Sequence, residues 1–281
     1  MMNGRRLSSA PKLPWAFLGI VLIMSMVIWV VGPIAERFLV RDRPVDLPLS
    51  SLMAFCPIGA ALILVQKESG WGEVKKMLQK AFDLRIKRRV WYLPVLLLMP
   101  AIVVLQYGLI DPMRIPASDS QVSVLTMLAF VVVFFIAAVG EEVGWQGYVI
   151  DRLPARWNAL TASIVLGTVW AIWHIVPLIQ LGRTPTQIVW QCMDMVATRI
   201  LIVWLYNNTG KSVFAAVLYH MMYNVSTLLL PNFGLYYDPV VTSMLVIIAA
   251  AIIIVLWGPK TLARYRYAPS DQDIQSRAAD V

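Results

Sequence analysis

Charge, cysteine and histidine are what this sequence has least of. Only 14% of its 281 residues are Asp, Glu, Lys or Arg, roughly half the share of a typical soluble domain. An ordinary water-soluble fold is excluded on that ground. The two cysteines, Cys56 and Cys192, lie in separate apolar runs without Cys-x-x-Cys spacing, so they read as buried thiols rather than as a disulfide or metal framework. Neither a Gly-x-Ser-x-Gly elbow nor a His-Glu-x-x-His pair is present, which removes two common hydrolase signatures. No repeat, low-complexity tract or glycine-rich linker divides the chain.

What is there is apolar sequence in long runs. Hydrophobic residues make up 59% of the chain. Runs near the bilayer-spanning length of about 20 residues fall at 13–35, 47–66, 90–110, 122–150, 157–180, 187–206, 211–230 and 239–258. The expected fold is an all-α integral membrane protein, a bundle of about eight transmembrane helices. The first run is too long for a secretion signal and lacks a small-residue cleavage site, so it reads as an uncleaved helix. This gives an N-terminal segment 1–12, a membrane domain 13–258 and a polar tail 259–281. The connection 66–89 has Val74, Met77, Leu78, Phe82 and Leu84 among lysines, the pattern of an amphipathic helix on the membrane surface.

The net charge of +8 is distributed unevenly. Of 24 Lys and Arg, 18 fall in alternate segments: the N-terminus, 66–89, 151–156, 207–211 and the tail. The positive-inside rule then predicts that both termini are cytoplasmic, in the plasma (inner) membrane of a bacterium. The basic stretch "KRRVW" (87–91) is expected to anchor topology against anionic headgroups, with no nucleic-acid partner.

Ionisable groups in hydrocarbon are costly and therefore informative. Those inside the runs are Glu141 and Glu142 in the fourth, His174 in the fifth, Asp194 and Arg199 in the sixth, and His220, with Asn224, in the seventh; the two histidines are the only ones in the chain. His220 and Asn224 are four apart, on one helical face, as are Trp170 and His174. Glu142 and Gln146 share the same spacing, whereas Glu141 points about 100° away from Glu142. Each group also has a structural reading: a packing histidine, a headgroup-marking acid, or, for Asp194 and Arg199, a partner on another helix.

Three stretches in order, "EEVGWQGYVIDRL", "LGTVWAIWHIVPL" and "WLYNNTGKSVFAAVLYHMMYN", resemble the CAAX protease and bacteriocin-processing (Abi) family of intramembrane endopeptidases, which includes the type II CAAX prenyl endopeptidases. The resemblance covers about 135–230. It implies that Glu141 activates water with His174 assisting, and that His220 and Asn224 hold the oxyanion. It also exposes two departures. Gln146 stands where the family has arginine, removing a cation one turn from Glu142, and Trp170 replaces a phenylalanine while keeping an aromatic surface. Arg199 is the intramembrane residue able to supply the missing cation.

The chemistry is consistent with these residue types. Amide hydrolysis needs a base for water, an acid for the leaving amine and donors for the oxyanion. No cofactor is required by that scheme; zinc is the alternative, with Glu141, His174 and His220 as ligands. The expected partners are a peptide or membrane-protein substrate and the lipid bilayer. Two other functions remain open, a proton-coupled transporter and a non-catalytic membrane partner that keeps the scaffold. At about 1.5 Å per helical residue, Glu141 lies about 15 Å from Asp151 and His220 about 13 Å from Lys211, two depths that agree. His174 lies about 27 Å from Arg156 on the same measure, which calls for a tilted helix or a surface-lying start to the fifth span. The site is expected to open toward the cytoplasm.

Overall fold

A computed structural model describes residues 14–39, 48–86, 88–110, 124–153, 156–228 and 237–263. The segment 1–12, most of the tail and the loop arginines Arg41, Arg43 and Arg114 lie outside the described residues. Among the described residues the elements are helical throughout: α1 (Trp15–Leu39), α2 (Cys56–Ser69), α3 (Trp71–Lys80), α4 (Tyr92–Ile110), α5 (Val124–Gly144), α6 (Ala159–Gln180), α7 (Pro185–Asn208), α8 (Val213–Leu228) and α9 (Pro239–Trp257), with short 3-10 and π turns between them. Hydrocarbon offers the backbone no water, so a helix that satisfies its own N–H and C=O groups is the stable form even for runs rich in Val and Ile.

Seven of these elements are long and apolar enough to cross a membrane: Trp15–Phe38, Leu49–Ser69, Arg89–Ile110, Val124–Arg152, Ala159–Gln180, Pro185–Asn208 and Pro239–Trp257. The protein is therefore an integral membrane protein. The expected seventh span, 211–230, is represented by the shorter α8, whose 16 described residues extend about 24 Å. The expected surface helix is α3, with Val74 and Met77 buried and Lys75 and Lys76 exposed. Trp71, Val74, Lys75, Leu78, Gln79 and Phe82 line a shallow cavity of about 550 Å³ on it, which none of the candidate site residues lines.

The bundle is inside out relative to a soluble protein. Large apolar side chains such as Ile23, Val30, Val104, Leu125, Ile248 and Val255 are exposed, and they form the surface that faces lipid. Helices α7 and α8 occupy the centre, with Leu201, Ile202, Leu205, Ala215, Ala216 and Val217 fully buried. Helix ends are closed locally. Asn158 accepts from the Thr161 N–H at 2.7 Å before α6, Thr184 and Gln187 make a reciprocal capping box at α7, and Asp238 accepts from Val240 and Val241 before α9. These side chains satisfy N–H groups that the first helical turn leaves unpaired.

Two close approaches decide where the functional side chains stand. At Gly140 and Gly144 of α5, a Cβ would come within 2.7 Å of the Ala54 carbonyl oxygen and 2.5 Å of Pro57 Cβ. At Gly167 of α6, a Cβ would lie 3.0 Å from Val196 Cα and from Arg199 Cβ. Small residues at helix contacts let backbones approach in membranes, where lipid supplies no hydrophobic drive. Immediately after α5 the chain widens into a π turn, Trp145–Val149, a feature often found at functional sites. It widens the helix in the turn that carries Gln146, directly after Glu142.

Candidate active site

Four helices bring the polar side chains together in the bundle interior. Glu141 and Glu142 come from the end of α5, Trp170 and His174 from α6, Arg199 from α7, and His220 and Asn224 from α8. The first carboxylate, Glu141, is 5% exposed. Its Oε2 accepts from the indole Nε1–H of Trp170 at 2.7 Å. Glu142, fully buried, serves two partners: Arg199 Nη1 donates to Oε2 at 2.7 Å, and His220 Nδ1 lies 2.9 Å from Oε1. The two acids do have different surroundings, one set by an indole and the other by a cation and an imidazole.

Arg199 is also fully buried, and its guanidinium carbon stands 4.5 Å from the centre of the Trp170 ring. It therefore donates an N–H to Glu142 and stands over the Trp170 ring, a cation–π contact strengthened by the burial of both side chains. Through these contacts one guanidinium bonds one carboxylate, Glu142, and touches Trp170, the partner of the other. The indole ring is shared further, with centroid distances of 5.0 Å to His174 and 5.4 Å to His220. Trp170 is thus a hydrogen-bond donor at the centre of the cluster, a role that its reading as an aromatic surface missed. The available signal was the indole N–H, which phenylalanine lacks and which seeks a partner when buried.

The imidazoles have defined hydrogen positions. His174 Nδ1 lies 2.9 Å from the Trp170 carbonyl oxygen. A carbonyl only accepts, so Nδ1 carries hydrogen and Nε2 is left for other work. The same reasoning applies to His220 against an ionised Glu142. Asn224 is half-buried, one turn beyond His220, and engages none of the described residues. Gln146 is fully buried with neither amide atom bonded, so it does not take the place of a cation beside Glu142.

The depth question has a simple geometry. Asp151 and Lys211, the two reference points for Glu141 and His220, meet in an ion pair at 2.8 Å. Helix α6 begins at Ala159, and it is Trp170, four residues nearer that end than His174, that reaches Glu141. No group of three or more His, Cys, Asp and Glu side chains is arranged to hold a metal ion among the described residues. Glu141, His174 and His220 do not form such a group, and no step is derived through zinc.

A family model for Type II CAAX prenyl endopeptidase Rce1-like proteins matches residues 123–226. CAAX prenyl protease 2 of Methanococcus maripaludis is 31% identical over 222 residues, covering 73% of this chain and 80% of that protein. The chain belongs to the type II CAAX prenyl endopeptidase family. As a family member it is a membrane endopeptidase. The matched segment contains every residue of the buried cluster, from Glu141 to Asn224. Within this endopeptidase, Asp194 lies outside the Glu142 ion pair and accepts a hydrogen bond from the Tyr223 hydroxyl.

Proposed function

We propose that this endopeptidase hydrolyses a peptide bond with a water molecule activated by Glu141, on a substrate presented from the cytoplasmic side. The observation that carries this reading is the division of labour between the two glutamates. Glu142 has both oxygens engaged, by Arg199 and His220. Glu141 has only Oε2 engaged, by Trp170, and is the carboxylate with residual exposure. Its second oxygen is free of protein donors among the described residues and is the natural place for a water.

In this scheme Glu141 takes a proton from water as hydroxide adds to the scissile carbonyl, and returns it to the leaving amine as the C–N bond breaks. His174 Nε2, directed by the Nδ1–H bond to Trp170, assists in holding the water. His220 and Asn224 donate to the oxyanion. With its Nδ1–H on Glu142, His220 donates from Nε2 when the ring carries two protons, a charge that the adjacent carboxylate balances. Glu142 and Arg199 position His220 without touching the substrate. The uneven distribution of Lys and Arg supports a cytoplasmic side for the basic segments, and with it the cytoplasmic access proposed for the site.

By analogy with the name of its archaeal relative, the substrate class is a protein ending in a prenylated CAAX sequence. Purified protein in liposomes, given a quenched peptide ending in a farnesylated Cys-aliphatic-aliphatic-X sequence, provides the test. Wild-type cleavage that is abolished in a folded Glu141→Gln variant supports the proposal. Undiminished cleavage by that variant removes Glu141 as the base. A wild type inert on the peptide, with specific proteins accumulating uncut in Glu141→Gln cells, redirects the substrate assignment to those proteins.

A further inference from the structure

Helix α8 carries both proposed oxyanion donors, His220 and Asn224. One tie to the rest of the site is the His220 Nδ1 contact with Glu142 at 2.9 Å. A second tie exists three residues on. The Tyr223 hydroxyl donates to Oδ2 of Asp194 on α7. Asp194 is fully buried, its Oδ1 has no hydrogen-bond partner, and the nearby Tyr219 hydroxyl has none either. Tyr223 is thus the hydrogen-bond donor that Asp194 has among the described residues. The Tyr223 carbonyl in turn accepts from Thr227 Oγ1 at 2.8 Å, closing the last turn of α8 on itself.

Two ties on different faces of a helix fix its rotation, where one does not. His220 and Tyr223 lie about 60° apart around α8, and Asn224 about 100° from Tyr223. Resting on the oxyanion reading above, we propose that Asp194 and Tyr223 are a positioning pair that sets the rotation of α8 and so aims the Asn224 amide. Donors of this kind must stand within about 0.5 Å and 10–20° of the productive geometry. A misplacement of about 1 Å costs on the order of 100-fold in rate. Neither Asp194 nor Tyr223 touches substrate in this role.

The test is a double-mutant cycle on the farnesylated peptide in liposomes. Tyr223→Phe is expected to lower kcat by about 10- to 100-fold with KM little changed, and Asn224→Ala by about 100- to 1,000-fold. The double variant is expected to be no slower than Asn224→Ala, because Tyr223 acts through Asn224. Asp194→Asn, which keeps an acceptor for the hydroxyl, is expected to lose less kcat than Tyr223→Phe, and Asp194→Leu, which keeps none, is expected to match Tyr223→Phe and stands in if that variant fails to fold. Losses that multiply in the double variant, wild-type kcat for Tyr223→Phe, or inactivity of folded Asp194→Asn overturn the positioning pair while leaving the oxyanion reading intact. Wild-type turnover by Asn224→Ala overturns that reading, and the pair with it.

Discussion

Replacing Arg199 with Met removes the guanidinium bonded to Glu142 and leaves the apolar surroundings filled. In the native protein Nη1 donates to Oε2 at 2.7 Å, and both side chains are fully buried. The remaining carboxylate then keeps only His220 on its other oxygen. Removing one partner of a buried ion pair costs about 3–5 kcal/mol, because the other charge stays desolvated. Glu142→Gln leaves Arg199 uncompensated and is expected to lose a comparable amount. The variant lacking both charges is expected to lose much less than the two together, since replacing a whole buried pair is often near neutral. Thermal unfolding in one detergent at one scan rate reads the cycle, because membrane proteins unfold irreversibly and only matched scans compare. Peptide cleavage gives a second reading. The double variant is expected to regain stability yet stay slow, since a neutral amide at 142 no longer balances the charge on a doubly protonated His220. Wild-type thermal stability for Arg199→Met, or additive losses in the double variant, refutes the pairing as an energetic unit.

Other consequences can be measured with the same protein. Trp170→Phe removes the indole N–H from Glu141 while keeping a ring; a hydrogen bond to a charged group is worth about 1.5–3 kcal/mol, so kcat is expected to fall by roughly 10- to 150-fold, and an unchanged kcat removes the indole from the mechanism. Gly144→Ala places a methyl 2.5 Å from Pro57 Cβ, and the forced separation is expected to cost about 1–3 kcal/mol, read as a lower unfolding temperature. Gln146→Leu removes a buried amide that makes no hydrogen bond; stability is expected to be unchanged or raised with activity retained, whereas lost activity shows that the amide holds part of the site.

How much of this was legible in the sequence depended on the kind of physics involved. Long apolar runs write spans directly, since transfer into hydrocarbon depends on local composition, and seven crossing helices stand where those runs are. The seventh run, 211–230, begins two residues before α8, because hydropathy does not register where helical geometry starts. The intramembrane location of Glu141, Glu142, Arg199 and His220 was legible because such groups are rare in lipid. The partner of Arg199 followed from a missing cation at Gln146. Contacts made across helices were less accessible: the Trp170 bond to Glu141 and the Tyr223 bond to Asp194 depend on rotations that no spacing rule encodes. The π turn after Gly144 is equally silent, because a single widened turn leaves the composition unchanged.

Enclosing Glu141, Glu142 and Arg199 in an apolar bundle constrains the reaction coordinate itself. In a medium of low dielectric, creating a net charge costs far more than moving one by a few ångströms. Proton transfer to Glu141 coupled to hydroxide addition keeps the total charge of the chamber constant. In the proposed scheme the negative charge passes from the carboxylate to the oxyanion and back, while Arg199 and Glu142 stay paired beside it. The chamber is therefore suited to a reaction that displaces one charge internally and exchanges none with the membrane around it.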